Sequence, residues 1–75
     1  MSVARVIEIS AMSNQSFEDA IREGISRANQ TLRNVEGAWI KEQNVIIRDG
    51  QIIGYKVNMQ VTFVLDDSAG NQSGI

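Results

Sequence analysis

Seventy-five residues, 43% of them hydrophobic and 21% charged, make one domain that is too apolar for disorder. Cysteine and histidine are both absent, which excludes disulfides, Cys/His zinc sites, thiolate nucleophiles and imidazole acid–base catalysis. Seven basic against nine acidic residues leave a net charge of −2, a poor match for nucleic acid or an anionic membrane as the main partner.

Val3 to Ala11 is rich in β-branched residues, with Val3, Ile7 and Ile9 on one face and Val6 on the other. It predicts a strand buried more on one side. Ser13-Asn14-Gln15-Ser16 is a polar break. Ser16 is a good N-cap, and Glu18 and Asp19 follow in the first turn, where carboxylates meet the positive end of the helix dipole. From Phe17 the period becomes helical. Phe17, Ala20, Ile21, Gly24, Ile25, Ala28, Leu32 and Val35 form one apolar stripe and predict a helix over 17–34. Glu18–Arg22 and Glu23–Arg27 are i,i+4 pairs in the favourable order on the opposite face. Gly24 costs about 1 kcal/mol of helix propensity against Ala, which a close approach of helix to sheet would offset.

The segment 38–48 alternates loosely, with Trp39, Lys41, Gln43, Val45 and Ile47 against Ile40, Glu42, Asn44 and Ile46. Asp49-Gly50 then marks a tight hairpin. Beyond it Ile53, Tyr55, Val57, Met59, Val61, Phe63 and Leu65 keep strict period two, with Gly54, Lys56, Asn58, Gln60 and Thr62 on the other face. That predicts a strand over 51–65 with one dry and one polar face. The composition turns polar from Asp66, so the expectation is one domain over 1–66 and a flexible polar tail over 67–75.

The order is β-α-β-β. The expected fold is α+β, a three-stranded antiparallel sheet packed on one helix. A helix over 17–34 spans about 27 Å and a strand over 51–65 roughly 50 Å, so one helix leaves apolar strand uncovered. A domain this small buries only about 60% of its unfolded surface. Both arguments predict a homo-oligomer. No apolar run approaches roughly 20 residues, and the start MSVARVIEIS lacks the apolar core of a secretory leader. A cytoplasmic protein with no membrane or nucleic-acid partner is expected.

These residues resemble the dodecins, small β-α-β-β proteins that assemble into hollow homododecamers. The resemblance covers residues 3–66. It rests on Ser13-x-x-Ser16-Phe17, on Ala20…Gly24-Ile25-x-Arg27-Ala28, and on the strand Tyr55-Lys56-Val57-Asn58-Met59-Gln60-Val61-Thr62-Phe63. It implies a subunit of a dodecamer that binds and sequesters flavin (FMN or riboflavin) between subunits, through a Trp at the start of the second strand and a Gln in the third. Aligned on Asn34-Val35, Gly37 stands where the family has that Trp. Aligned on Tyr55 and Phe63, Lys56 stands where it has the Gln. The segment Ala38 to Gln43 is similar to a second branch that lacks the stacking Trp and is linked to calcium.

Two readings of Trp39 stand side by side. It shares a strand face with Gly37 and offers a displaced platform for a flavin or another planar ligand, or it is a packing or subunit-interface tryptophan. Lys56 and Gln60 either line a ligand cleft, with Lys56 facing a phosphate or carboxylate, or form a solvated sheet surface. Calcium takes 6–8 oxygens. Glu8, Glu42, Asp66 and Asp67 are its candidates if symmetry brings copies together, against scattered surface acids. An enzyme is not expected. There is no GxGxxG or P-loop, Gly50-x-x-x-Gly54 is hairpin and strand, and Glu18 and Asp19 splay apart on a helix. The third strand turns its aromatics to its dry side, unlike an RNA-binding sheet. The function expected is small-ligand binding near Trp39, Gly37, Lys56 and Gln60, with an ion-binding (calcium) or purely structural assembly as the alternative.

Overall fold

The β-branched and alternating segments form three strands and the apolar stripe forms a helix. The computed structural model describes residues 3–65 as β1 (Ala4–Ser13), α1 (Phe17–Thr31), β2 (Val35–Arg48) and β3 (Gln51–Val64). β3 lies in the middle of an antiparallel sheet of order β1-β3-β2. The period-two strand therefore takes the central place, where it has neighbours on both edges. Asp49 and Gly50 both have positive φ, 54° and 76°. That is the twist a two-residue turn needs to pair Arg48 with Gln51. Asp66, Asp67 and the expected tail lie outside the described residues.

Two serines set the start of α1. The Ser16 hydroxyl accepts from the Asp19 N–H at 2.9 Å, as an N-cap does. Ser13, buried at the end of β1, accepts from the Gln15 N–H at 2.9 Å and donates to the Asp19 carboxylate at 2.7 Å. The polar break is thus a hydrogen-bonded turn, and its first residue still belongs to the strand.

The helix stops at Thr31, short of the 34 expected from the stripe. Leu32 is already extended, and its N–H bonds the Ala28 carbonyl at 2.9 Å. Asn34 then takes a left-handed φ of 62°, which Asn tolerates better than most residues. Its carbonyl accepts from the Val64 N–H at 3.1 Å, and its side-chain amide donates to the Val64 carbonyl at 3.2 Å. These bonds start β2 at Val35, earlier than 38. Val35 leaves the helical stripe but still packs on the core from its strand.

Val57, Met59 and Val61 on the inner face of β3 are fully buried against Ala20 of the helix. Ile7, Ile9 and Ala11 of β1 and Phe17, Ile21 and Ile25 of α1 surround them. A Cβ added at Gly24 would overlap the Met59 methyl and lie 3.1 Å from the Ala11 Cβ. The close approach that offsets the glycine is present. Phe17 stacks edge-on against Tyr55, with centroids 5.1 Å apart.

The molecule measures 55 × 19 × 12 Å, whereas a 15-residue helix covers about 22 Å. The distal hairpin therefore projects beyond α1. Ile47 (61%), Ile52 (53%) and Ile53 (42%) are exposed there, as is Ile40 on the helix side of β2. No described helix is long and apolar enough to cross a membrane.

Candidate functional site

The face of the sheet turned away from α1 carries Gly37, Trp39, Lys56 and Gln60, together with Glu8 and Glu42. Antiparallel partners directly opposite one another share a face, so the pairing register orders this surface in rows. Val6, Thr62 and Gly37 form one row, and Glu8, Gln60 and Trp39 the next. Ser10, Asn58 and Glu42 follow, then Met12, Lys56 and Asn44.

β2 reaches this arrangement through irregularities that a simple alternation does not contain. Its register against β3 shifts between Val35 and Gly37 and again between Ile40 and Glu42. Glu36 and Lys41 are the extra, bulged residues. After the second bulge Trp39 shares its face with Glu42 and Asn44, while Gln43 and Val45 pair with Val57 and Tyr55 on the helix side. The expected division of β2, with Trp39, Gln43 and Val45 on one face, is corrected accordingly.

Trp39 is 71% exposed, so its ring takes no part in the protomer core. That exposure suits a surface role toward a ligand or packing against a neighbouring subunit. Its cross-strand partner is Gln60, whose amide offers both a donor and an acceptor. Beside it, Glu36, Gly37, Ala38, Trp39 and Thr62 line a shallow recess of about 340 Å³. A Cβ built at Gly37 would meet nothing within 4 Å. The glycine therefore leaves open floor next to the indole.

Polar side chains link the strands below that recess. Ser10 Oγ donates to Asn58 Oδ1 at 2.9 Å, and Asn58 Nδ2 donates to Glu42 Oε1 at 2.9 Å, a chain across all three strands. The Lys41 ammonium lies 3.3 Å from the Glu8 carboxylate and ties β2 to β1 over the face of β3. Both partners are half exposed, so the pair contributes little stability, but it neutralises Glu8. Lys56 makes no hydrogen bond or ion pair among the described residues. It sits four residues from Gln60 along β3, roughly 13 Å at strand rise.

Gly37, Trp39 and Gln60 are thus adjacent, and Lys56 is on the same face but set apart. Sequence reading missed the Ser10–Asn58–Glu42 chain and the Lys41–Glu8 pair. Both depend on inter-strand register, which no single strand's pattern encodes once bulges intervene. Among the described residues no three acidic side chains gather where they could hold a metal ion. Glu8 and Glu42 already have partners, and Asp66 and Asp67 lie outside the described residues. The donor set among the described residues of one protomer does not fit calcium. For a planar ring with a polar edge it does fit: an open aromatic face, an amide beside it and no side chain at Gly37.

Comparison with known proteins points the same way as the fold. The family profile described as Dodecin matches residues 3–66. A curated relative, calcium dodecin of Mycobacterium tuberculosis, is 32% identical over 63 residues, covering 84% of this chain and 89% of that one. Among solved structures, dodecin from Streptomyces davaonensis superposes with a TM-score of 0.84 at 39% identity over 88% of this chain and 97% of its own. Dodecin from Streptomyces coelicolor gives 0.83 at 30% identity over 89% and 96%.

Proposed function

The chain belongs to the dodecin family, and from that premise we propose that it is a non-catalytic protein that assembles with copies of itself and holds a flavin-type ligand on the outer face of its sheet. The observation that carries this reading is the exposed indole of Trp39 beside Gln60 and the open floor at Gly37. A tryptophan this exposed gains by burying its apolar ring against a planar ligand. Gln60 matches a ring edge that carries donors and acceptors. When bound, a flavin supplies a redox-active, light-absorbing ring, and stacking on tryptophan shields it.

Self-assembly is supported by the mismatch of lengths. The sheet outruns its helix, and Ile47, Ile52 and Ile53 are left exposed at the hairpin end. Their burial against other copies is the means of stabilisation open to a chain without disulfides. A dodecamer is the state that the family resemblance implies.

The test is a titration with riboflavin, read by quenching of the flavin's own fluorescence. Binding is expected, and Trp39→Ala should weaken it roughly tenfold, the equivalent of about 1.4 kcal/mol. Unchanged affinity in that variant would end the role of Trp39 as platform. A second reading, calcium in place of flavin, is favoured by the match to a relative named calcium dodecin. It requires carboxylates from several copies to meet at one point, and calorimetric titration of the assembled protein with calcium tests it. Heat of binding lost in Glu42→Gln would favour calcium.

A further inference from the structure

We propose that Met12 is an oxidation site on the outer face of the sheet, where a hydroperoxide converts its thioether to a sulfoxide and Lys56 receives the new oxygen. The site does not depend on which ligand this face holds.

Two methionines lie among the described residues, and the fold treats them in opposite ways. Met59 is fully buried under α1, with its methyl against Gly24. Met12 is 62% exposed near the end of β1, an edge strand of the sheet. It lines a recess of about 390 Å³ with Asn14, Ile53 and Gly54, which leaves room for a small oxidant beside the sulfur. Susceptibility of a thioether follows the access of peroxide to it. The chemistry is closed with the peroxide as sole co-reactant. The Met12 sulfur gives an electron pair to one peroxide oxygen, and the O–O bond breaks. The S–OH group so formed passes its proton to the departing hydroxide, which leaves as water. Sulfur is oxidised by two electrons and the peroxide is reduced by two.

What sets this methionine apart is its cross-strand neighbour. Met12 pairs with Lys56 of β3, and directly opposite residues hold their Cβ atoms about 4.5–5.5 Å apart on one face. Both side chains are long and unbranched, so the sulfur and the ammonium are within reach of each other. A thioether is a weak acceptor, whereas the ammonium carries three donors. Lys56 makes no ion pair or hydrogen bond among the described residues, unlike Lys41, which Glu8 engages at 3.3 Å. Oxidation supplies the missing acceptor. The sulfoxide oxygen takes a charge-assisted hydrogen bond from Lys56 and so ties edge strand β1 to β3 across the outer face. An apolar surface side chain becomes a polar one with a fixed partner.

Dilute hydrogen peroxide applied to the full-length protein makes the test, with each methionine and lysine followed by peptide mass spectrometry. Met12 should gain one oxygen at least about tenfold faster than Met59. The oxidised protein is then treated with acetic anhydride. Acetylation of Lys56 should slow about twofold relative to unoxidised protein, because its ammonium is now engaged, while Lys41 reacts as before. In Met12→Leu the peroxide treatment should leave the Lys56 rate unchanged, which also removes any contribution from Met1. Met12 is exposed and outside the core, so that variant should fold as the wild type does. Oxidation of Met12 no faster than that of Met59 would overturn the site. Rapid oxidation that leaves Lys56 as reactive as before, or a slowing that persists in Met12→Leu, would overturn the pairing with Lys56.

Discussion

Met59 and Gly24 meet where the helix crosses the sheet most closely, and the contact is decided atom by atom. The Met59 methyl occupies the space a Cβ at residue 24 would need, with Ala11 Cβ behind it. Gly24→Leu should therefore destabilise the protein by about 1–3 kcal/mol or more through overpacking. Chemical denaturation measures it, and a wild-type midpoint would contradict the close-approach argument. Ser16→Ala should lose about 1 kcal/mol through its cap, since the Ser16 hydroxyl accepts from the Asp19 N–H. Both residues were readable in advance, Gly24 from its cost inside an apolar stripe and Ser16 from the carboxylates that follow. Ser13 was not. Its hydroxyl serves the same turn from three residues further back, and a serine at the end of a strand carries no sign of that.

Among the elements, the hairpin was the most legible, because Asp-Gly between two strand-like runs has one good solution. Gly50 holds a φ of 76°, so Gly50→Val should cost about 1–2 kcal/mol in the left-handed region, detectable as a lowered melting temperature. An unchanged melting temperature would argue against that turn. The end of α1 was less legible. Leu32 and Val35 continue the helical spacing, yet the left-handed Asn34 turns the chain before Val35 is reached. The faces of β2 were hidden for a related reason. Glu36 and Lys41 are ordinary residues, and nothing in their identity announces a bulge. The alternation expected through Trp39, Gln43 and Val45 fails because one inserted residue reverses every side chain after it. The candidate site was consequently half visible. Its members were named from the sequence, but their order across three strands needed the register.

At the scale of the whole molecule, the long sheet and short helix leave apolar side chains exposed at the hairpin end, a surface that association with other copies would cover. Ile52→Asp places a charge at the exposed hairpin end, outside the protomer core. It should reduce the assembly to smaller species in size-exclusion chromatography with light scattering and lower the melting temperature through lost association. A variant that keeps full mass would show that the hairpin isoleucines are not an interface. Assembly and ligand are joined in the function we propose, a dodecamer of this chain with flavin on its outer sheet faces. Native mass spectrometry of the purified protein, alone and with FMN, tests it most directly. The account predicts a single dodecameric species that gains flavin masses when FMN is added. A monomer, or an assembly that takes up no flavin at any ratio, would contradict it.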